Sequence, residues 1–301
     1  MRKKLATAIS VAAAAGLFAL TGCSAAADQP AATVANGDQQ DLTIAVFTGW
    51  PEGEAVSLLW QNALQAQGYN VELEYADVTP GFAGLATGDY DLNLDVWLPT
   101  THADRVAEYG DDIVDLGAWN NDAVLSVAVN ADAPIDSLEE LAANADLFNN
   151  TIIGIEPGAG LTGITEDAVI PGYGLEGMTF TTSSTAGMLS ELTAATSAGE
   201  NIVVTLWHPH WAYEAFPLKD LADPQGTLGA AEGLHSYSRV GFTDDAPVAA
   251  GWISNFTMET AMLDSLQNVL FNGDADTSDY PQIVADWAAE NQAYVDGLTA
   301  S

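Results

Sequence analysis

Positive charge is scarce in this chain. Of 301 residues only 6 are Lys or Arg, against 42 Asp or Glu, for a formal net charge of −36. Arg2, Lys3 and Lys4 crowd the N-terminus, which leaves Arg105, Lys219 and Arg239 for everything that follows. A surface so poor in Lys and Arg cannot neutralise a phosphate backbone, which argues against nucleic-acid binding. Acidic substrates and anionic lipid head groups are disfavoured for the same reason. Cysteine is scarcer still. Cys23 stands alone, so an intrachain disulfide and a Cys-based zinc site are both excluded. Beyond the N-terminus no apolar run approaches the roughly 18 residues that span a bilayer, and no internal repeat recurs at a period of about 20–50 residues. What remains is 48% hydrophobic, enough for a real core rather than an acidic disordered tail. The acidity itself reads as a solvated carboxylate surface suited to high salt, because steering by the field is screened beyond about 8–10 Å.

Cys23 has a context. A charged start is followed by a short apolar stretch (AISVAAAAGLFAL) and then by Leu20-Thr21-Gly22-Cys23. Residues 1–22 read as a secretory signal whose apolar core is too short to span a membrane comfortably. The small residues before the cysteine resemble the lipobox of bacterial lipoproteins, which implies cleavage before Cys23 and lipid on its sulfur. Residues 23–40 are rich in Ala, Gln, Asp and Gly and read as a flexible tether. The expected location is outside the cytoplasmic membrane, at its outer face or in the periplasm.

The rest alternates strands and helices. Residues 42–47 (LTIAVF), 71–75 and 91–96 (DLNLDV) read as strands, and 54–67 and 82–87 as the helices between them. A second set follows, with strands at 123–130, 151–155 and 201–206 and helices at 137–143, 162–170 and 188–198. Ser137 with Glu140 three residues on predicts a capping box. Residues 258–270 and 282–295 read as helical. This is the grammar of an α/β fold with parallel sheets. Its expected form is two lobes with a cleft between them, lobe I from 41–126 plus 237–301 and lobe II from 127–236.

Three strands end alike. LTIAVF runs into Trp50-Pro51, DLNLDV into Trp97-Leu98-Pro99, and NIVVTL into Trp207-His208-Pro209. In open α/β sheets the C-terminal ends of strands face the ligand crevice, and proline stiffens the turn behind each ring. Loops at strand ends are poor places to bury an indole for packing alone. Trp60 and Trp287, on amphipathic helices, read instead as core. The pattern does not assign Trp119, Trp211 and Trp252. Three converging indoles suit a quaternary ammonium group, which has no N–H to donate but is attracted by the negative ring faces. At about 2 kcal/mol per desolvated face, three give roughly 6 kcal/mol, short of the ~8 kcal/mol of micromolar binding. A second recognition group is needed.

Residues 156–163 (EPGAGLTG) supply a candidate. Gly158, Gly160 and Gly163 match G-x-G-x-x-G, but no acidic strand end follows about 20 residues on, so a dinucleotide is disfavoured. Bare N–H groups of Gly160, Leu161 and Thr162 at a helix start could hold a small carboxylate. Gly53, in the turn Pro51-Glu52-Gly53 that opens the first helix, offers another such donor. An ammonium in a Trp box with a carboxylate on backbone N–H groups describes a small betaine.

These blocks, FTGWPEGEAV, ATGDYDLNLDVWLPTTH, IIGIEPGAG and IVVTLWHPHW, resemble the glycine-betaine/choline-type substrate-binding proteins of ABC importers, over nearly all of the mature chain. The resemblance implies a two-lobe type II periplasmic-binding-protein fold that closes on its ligand and delivers it to a membrane permease, with no enzymatic activity and no cofactor. It implies a monomer tethered to the membrane through lipid on Cys23. Trp97 and Trp207 match the family's cage tryptophans. Trp50 and Glu52 match a Trp and an acid of the choline-binding branch, and His102, in WLPTTH, is a candidate to hold the carboxylate or the lobes. Where some branches carry a later Trp, residues 254–258 offer only Phe256, and Glu52 leaves choline and carnitine open beside glycine betaine.

A secreted α/β enzyme is the competing class. No G-x-S-x-G or H-E-x-x-H motif is present, and His208-Pro209-His210 lies in a loop rather than on a helix, which disfavours metal. The acids of 89–95 (DYDLNLD) lack the glycine of a calcium loop, alternate as a strand, and are expected to lie on a solvated face.

Overall fold

The computed structural model describes residues 33–300. The expected signal segment and Cys23 lie outside these residues. Among the described residues nine strands form one sheet, eight of them in the order β2-β1-β3-β9-β4-β7-β5-β6 and the ninth, β8, paired to β4 off this path. The strands are β1 (Asp41–Phe47), β2 (Asn70–Ala76), β3 (Leu92–Leu98), β4 (Ile113–Asn130), β5 (Thr151–Ile153), β6 (Thr179–Thr181), β7 (Val203–His208), β8 (Leu218–Asp220) and β9 (Glu232–Arg239). As expected, β1 is parallel to β2 and to β3, and β5 is parallel to β6 and to β7. The sheet is nevertheless mixed. β9 lies between β3 and β4 and is antiparallel to both.

The long strand β4 joins two halves of the sheet. Its stretch from Ile113 to Ala123 pairs with β9, and its stretch from Val124 to Val129 pairs with β7. The first of these stretches and β9 were not expected as strands, because Asn, Ser, His and Gly interrupt their apolar pattern. Helices cover the sheet. Pro51–Ala66 follows β1 and packs on Thr260–Phe271 and Tyr280–Glu290 through Leu59, Trp60, Leu64 and Leu263, all fully buried. The expected capping box is present, with Ser137 and Glu140 at the start of Leu138–Leu141. Trp60 and Trp287 are core residues, as their helical setting predicts, and Trp119 joins them. Phe256 packs against both Trp60 and Trp119, in the core.

Residues 33–40 differ from the expected tether. Val34 is buried, and Asp38 is fully buried with its carboxylate accepting from the Tyr69 hydroxyl (2.7 Å) and the Ala249 N–H (2.9 Å). Asp38 thereby satisfies free donors at the N-terminus of helix Pro247–Ser254, a favourable place for an anion. The polar composition of this stretch hid one well-placed acid.

The acids of 89–95 also depart from expectation. Asp89 is exposed, but Asp91 and Asp95 are buried, at 8% and 1% exposure. Asp91 accepts from Arg239 Nε (2.8 Å) and from the Thr43 N–H (2.8 Å). Both faces of β3 are covered, so its alternation does not mark a wet side.

Candidate functional site

The three strand ends converge. Trp50, Trp97 and Trp207 line one small hollow, with Glu52, Thr101, Leu125, Ile155, Ala159 and Leu161 completing it and about 260 Å³ free of protein atoms, part of it open to solvent. The indoles are 6%, 3% and 3% exposed. Trp50 and Trp207 meet edge to face, with centroids 6.5 Å apart and planes at 63°. A wider groove shares Thr101 and Ala159 with this hollow.

Local structure aims each ring. β1 ends at Phe47, and Gly49, at a φ of +87°, turns the chain so that Trp50 flanks the N-terminus of helix Pro51–Ala66. Trp97 lies in β3 opposite Leu234, and Trp207 in β7 opposite Leu125, one residue further along the strand than expected. Behind Trp97, the chain closes on itself. Its N–H donates to His102 Nδ1 (2.9 Å), and the His102 N–H donates to its carbonyl (3.0 Å).

Each of the three indole N–H groups donates to a carboxylate. Trp97 Nε1 donates to Asp95 Oδ1 at 2.9 Å, Trp207 Nε1 to Glu52 Oε2 at 3.0 Å, and Trp50 Nε1 to Glu156 Oε2 at 3.4 Å. Glu156 is itself held by the N–H (2.7 Å) and hydroxyl (3.0 Å) of Thr185, the first residue of helix Thr185–Ala198. Glu52 and Asp95 are neighbours. Burial pushes Glu52 up to about 7, against the pull of the Trp207 hydrogen bond. Burial, and then the charge of Glu52, raise Asp95 well above the usual carboxylate range.

Of the expected carboxylate donors, Leu161 lines the hollow and Gly160 and Thr162 flank it in the helix start Gly160–Ile164. Their three N–H groups have no acceptor among the described residues. The chain continues helically through a π turn at Thr165–Val169 to Tyr173. Gly53 is not in the lining. A Cβ on it would lie 2.4 Å from Asp95 Oδ2, so its bareness makes room for that carboxyl group. His102 is not in the lining either. Its ring stacks behind Trp50 and braces Trp97, and burial pushes its pKa down to about 3. His208 is engaged elsewhere, with Asp220 (2.8 Å), whereas His210 accepts from the Ala212 N–H (3.0 Å) and packs edge to face against Trp207, with centroids 4.7 Å apart.

Three residues escaped the sequence reading. Asp95 stands two positions before Trp97, hence on the same face of β3, and that spacing was the available signal. Glu156 directly follows the buried run TIIGI, at the crevice end. Glu232 is 2% exposed and accepts from the N–H groups of Thr100 (2.6 Å) and Thr101 (2.9 Å), fixing the loop after Trp97 to the start of β9. Nothing local in the sequence links it to that loop.

Comparison with known proteins bears on this geometry. Residues 40–290 match the family model OpuAC, described as the substrate-binding domain of an ABC-type glycine betaine transport system. The chain is 45% identical over 75 residues to the glycine betaine/carnitine transport binding protein GbuC of Listeria monocytogenes. That stretch spans 25% of this chain and 25% of that relative. Lactococcal OpuAC, in its closed conformation complexed with glycine betaine, superposes with a TM-score of 0.79 at 27% identity, covering 87% of this chain and 100% of that one. The glycine betaine/L-proline-binding protein ProX of Borrelia burgdorferi gives 0.79 at 27% identity, covering 87% and 97%. The architecture is thus the expected two-lobe type II periplasmic-binding-protein fold. The chain belongs to the family of substrate-binding domains of ABC-type glycine betaine transport systems, which are binding proteins and not enzymes.

Proposed function

We propose that this chain is the extracytoplasmic substrate-binding component of an ABC importer for quaternary ammonium compounds, glycine betaine foremost. In this reading Trp50, Trp97 and Trp207 pack the methylated cation beside Glu52, and the N–H groups of Gly160, Leu161 and Thr162 hold the carboxylate. The observation that carries it is the convergence of three indoles from separate strand ends on one hollow. The hollow lies where β4 exchanges β9 for β7, consistent with two lobes meeting there, 41–126 plus 237–301 and 127–236. Among the described residues no helix is long and apolar enough to cross a membrane. Attachment through lipid on Cys23, action as a monomer and delivery to a membrane permease complete the proposal.

Of the second reading, choline or carnitine, one observation favours choline. Glu52 and Asp95 place two carboxyl groups behind the cage, which suits choline, the ligand of net positive charge; carnitine is a zwitterion like glycine betaine and gains nothing from this charge. Calorimetry with glycine betaine, choline, carnitine and proline betaine decides between them. Tightest binding of glycine betaine, with a change in Trp fluorescence, is expected. Binding of none of the four would overturn the proposal.

A further inference from the structure

We propose that Asp95 and Glu156 are specificity-determining residues, which set the charge preference of the cage by holding carboxylates on the indole N–H edges of Trp97 and Trp50. This rests on the reading of the hollow as a quaternary ammonium site and extends it to two residues behind its wall. The geometry repeats three times, since Glu52 does for Trp207 what these two do for their own rings. A neutral acceptor such as a backbone carbonyl would satisfy an indole N–H equally well, as Leu94 does for the buried Trp119. A carboxylate adds something a carbonyl does not. In its ionised form it places a negative charge at the N–H edge of the ring, inside a site with little water to screen it, and a bound cation favours that ionised form.

The negative charge has no counter-ion from the protein. Among the described residues the three Lys and Arg side chains pair elsewhere, Arg105 with Glu108, Lys219 with Asp136, and Arg239 with Asp91 and Asp245. No Lys or Arg lines the hollow. Asp95 Oδ2 is buried without a hydrogen-bond partner, held down by the first turn of helix Pro51–Ala66 against bare Gly53. Buried carboxyl groups are costly unless paired. The arrangement makes sense if the ligand's own cation completes it. Two of the three bonds also join residues from opposite halves of the sheet, Trp50 to Glu156 and Trp207 to Glu52, so the charge is assembled as those halves come together.

The test compares glycine betaine with 3,3-dimethylbutanoate, in which a carbon replaces the ammonium nitrogen and the shape is kept. Affinities are measured by calorimetry, or by competition in Trp fluorescence, for the wild type and for Asp95→Asn and Glu156→Gln. Each variant removes the charge and keeps one oxygen acceptor; Glu156→Gln also gives up one hydrogen bond, since Glu156 accepts from the Thr185 N–H and from Trp50 through different oxygens, and this loss weakens both ligands alike. In each variant the preference for glycine betaine over the isostere is expected to shrink about tenfold, mainly through weaker glycine betaine binding. An unchanged preference overturns the proposal, whether the two affinities stay put or fall in parallel, the second outcome marking a merely structural role. Should Asp95→Asn fail to fold, Glu156→Gln, at a half-buried position, decides alone. A wild type that binds no quaternary ammonium compound would instead refute the functional reading itself.

Discussion

The imidazole of His102 lies parallel to the indole of Trp50, with ring centroids 5.5 Å apart and planes at 5°. The same imidazole accepts the Trp97 N–H through Nδ1. One side chain thus braces two of the indoles that line the hollow, which reach it from different strands. Because Nδ1 is an acceptor and burial pushes the ring's pKa down to about 3, His102 is neutral wherever the protein is folded near neutral pH. His102→Ala removes the stacking partner and leaves a buried N–H unpaired, at a cost of about 2–3 kcal/mol in denaturant unfolding. Ligand affinity is expected to fall with it, through loosened indoles rather than a lost contact. An unaltered unfolding midpoint would count against this bracing role.

Trp97→Ala or Trp207→Ala removes one of the three indoles that line the hollow and, in the proposed function, one face offered to the cation. Each is expected to weaken glycine betaine binding by at least ~2 kcal/mol, about 30-fold, in calorimetry. Both rings lie at strand ends, so the far-ultraviolet circular dichroism should change little. Wild-type affinity in either variant would remove that ring from the site.

How much of this was open to a reader of the sequence depends on how local each determinant is. The strands ending in Trp50, Trp97 and Trp207 announce themselves by a buried apolar run followed by proline, a pattern contained within about ten residues. The capping box at Ser137 is similarly local. β9 is not. Its sequence, EGLHSYSR, has no apolar alternation and becomes a strand only because β3 and β4 offer hydrogen-bonding edges on either side. The helices Pro51–Ala66 and Val78–Thr87, which pack on β3, cover its faces and turn Asp95 from an expected surface acid into a buried partner of Trp97. The bonds of Glu156 to Trp50 and of Glu232 to Thr101 cross 106 and 131 positions, and no spacing rule reaches that far.

Protons should be linked to both folding and binding. Glu52 is raised from the ordinary 4.5 to about 7 and Asp95 is raised as well, so the folded, ligand-free protein keeps protons that the unfolded chain releases. For raised carboxyl groups the stabilisation is complete below the unfolded value and is lost as pH rises through the folded one. The melting temperature of the ligand-free protein is therefore expected to fall between pH 4.5 and about 7. His102 and His210 are both pushed down to about 3 and stay neutral across this window. A bound cation favours the ionised acids, so affinity should rise over the same range. Thermal scans with and without ligand check both trends, and Glu52→Gln should flatten them. Choline, which has no carboxylate to share the binding energy, should lose more than glycine betaine in that variant; equal losses would place Glu52 outside the cation site.

Gly160 separates closure from stability. A Cβ at this position would come within 2.3 Å of the Thr101 carbonyl oxygen and 2.7 Å of Thr101 Cγ2. Gly160 opens a helix that follows β5, whereas Thr101 follows β3 and is held by Glu232, so the two approach from opposite halves of the sheet. Thr101 and the neighbours of Gly160, Ala159 and Leu161, line the hollow. At this first helical position alanine is no worse a helix former than glycine, though it gains less than the ~1 kcal/mol of a helix interior. Gly160→Ala should therefore leave the melting temperature of the ligand-free protein unchanged or slightly raised. The added methyl group holds Thr101 away, and the cage cannot close fully around its ligand. Glycine betaine affinity is expected to drop at least tenfold, or about 1.4 kcal/mol, with small-angle scattering showing a ligand-induced compaction smaller than in the wild type. Undiminished affinity together with full compaction would show that this contact gives way readily and plays no part in closure.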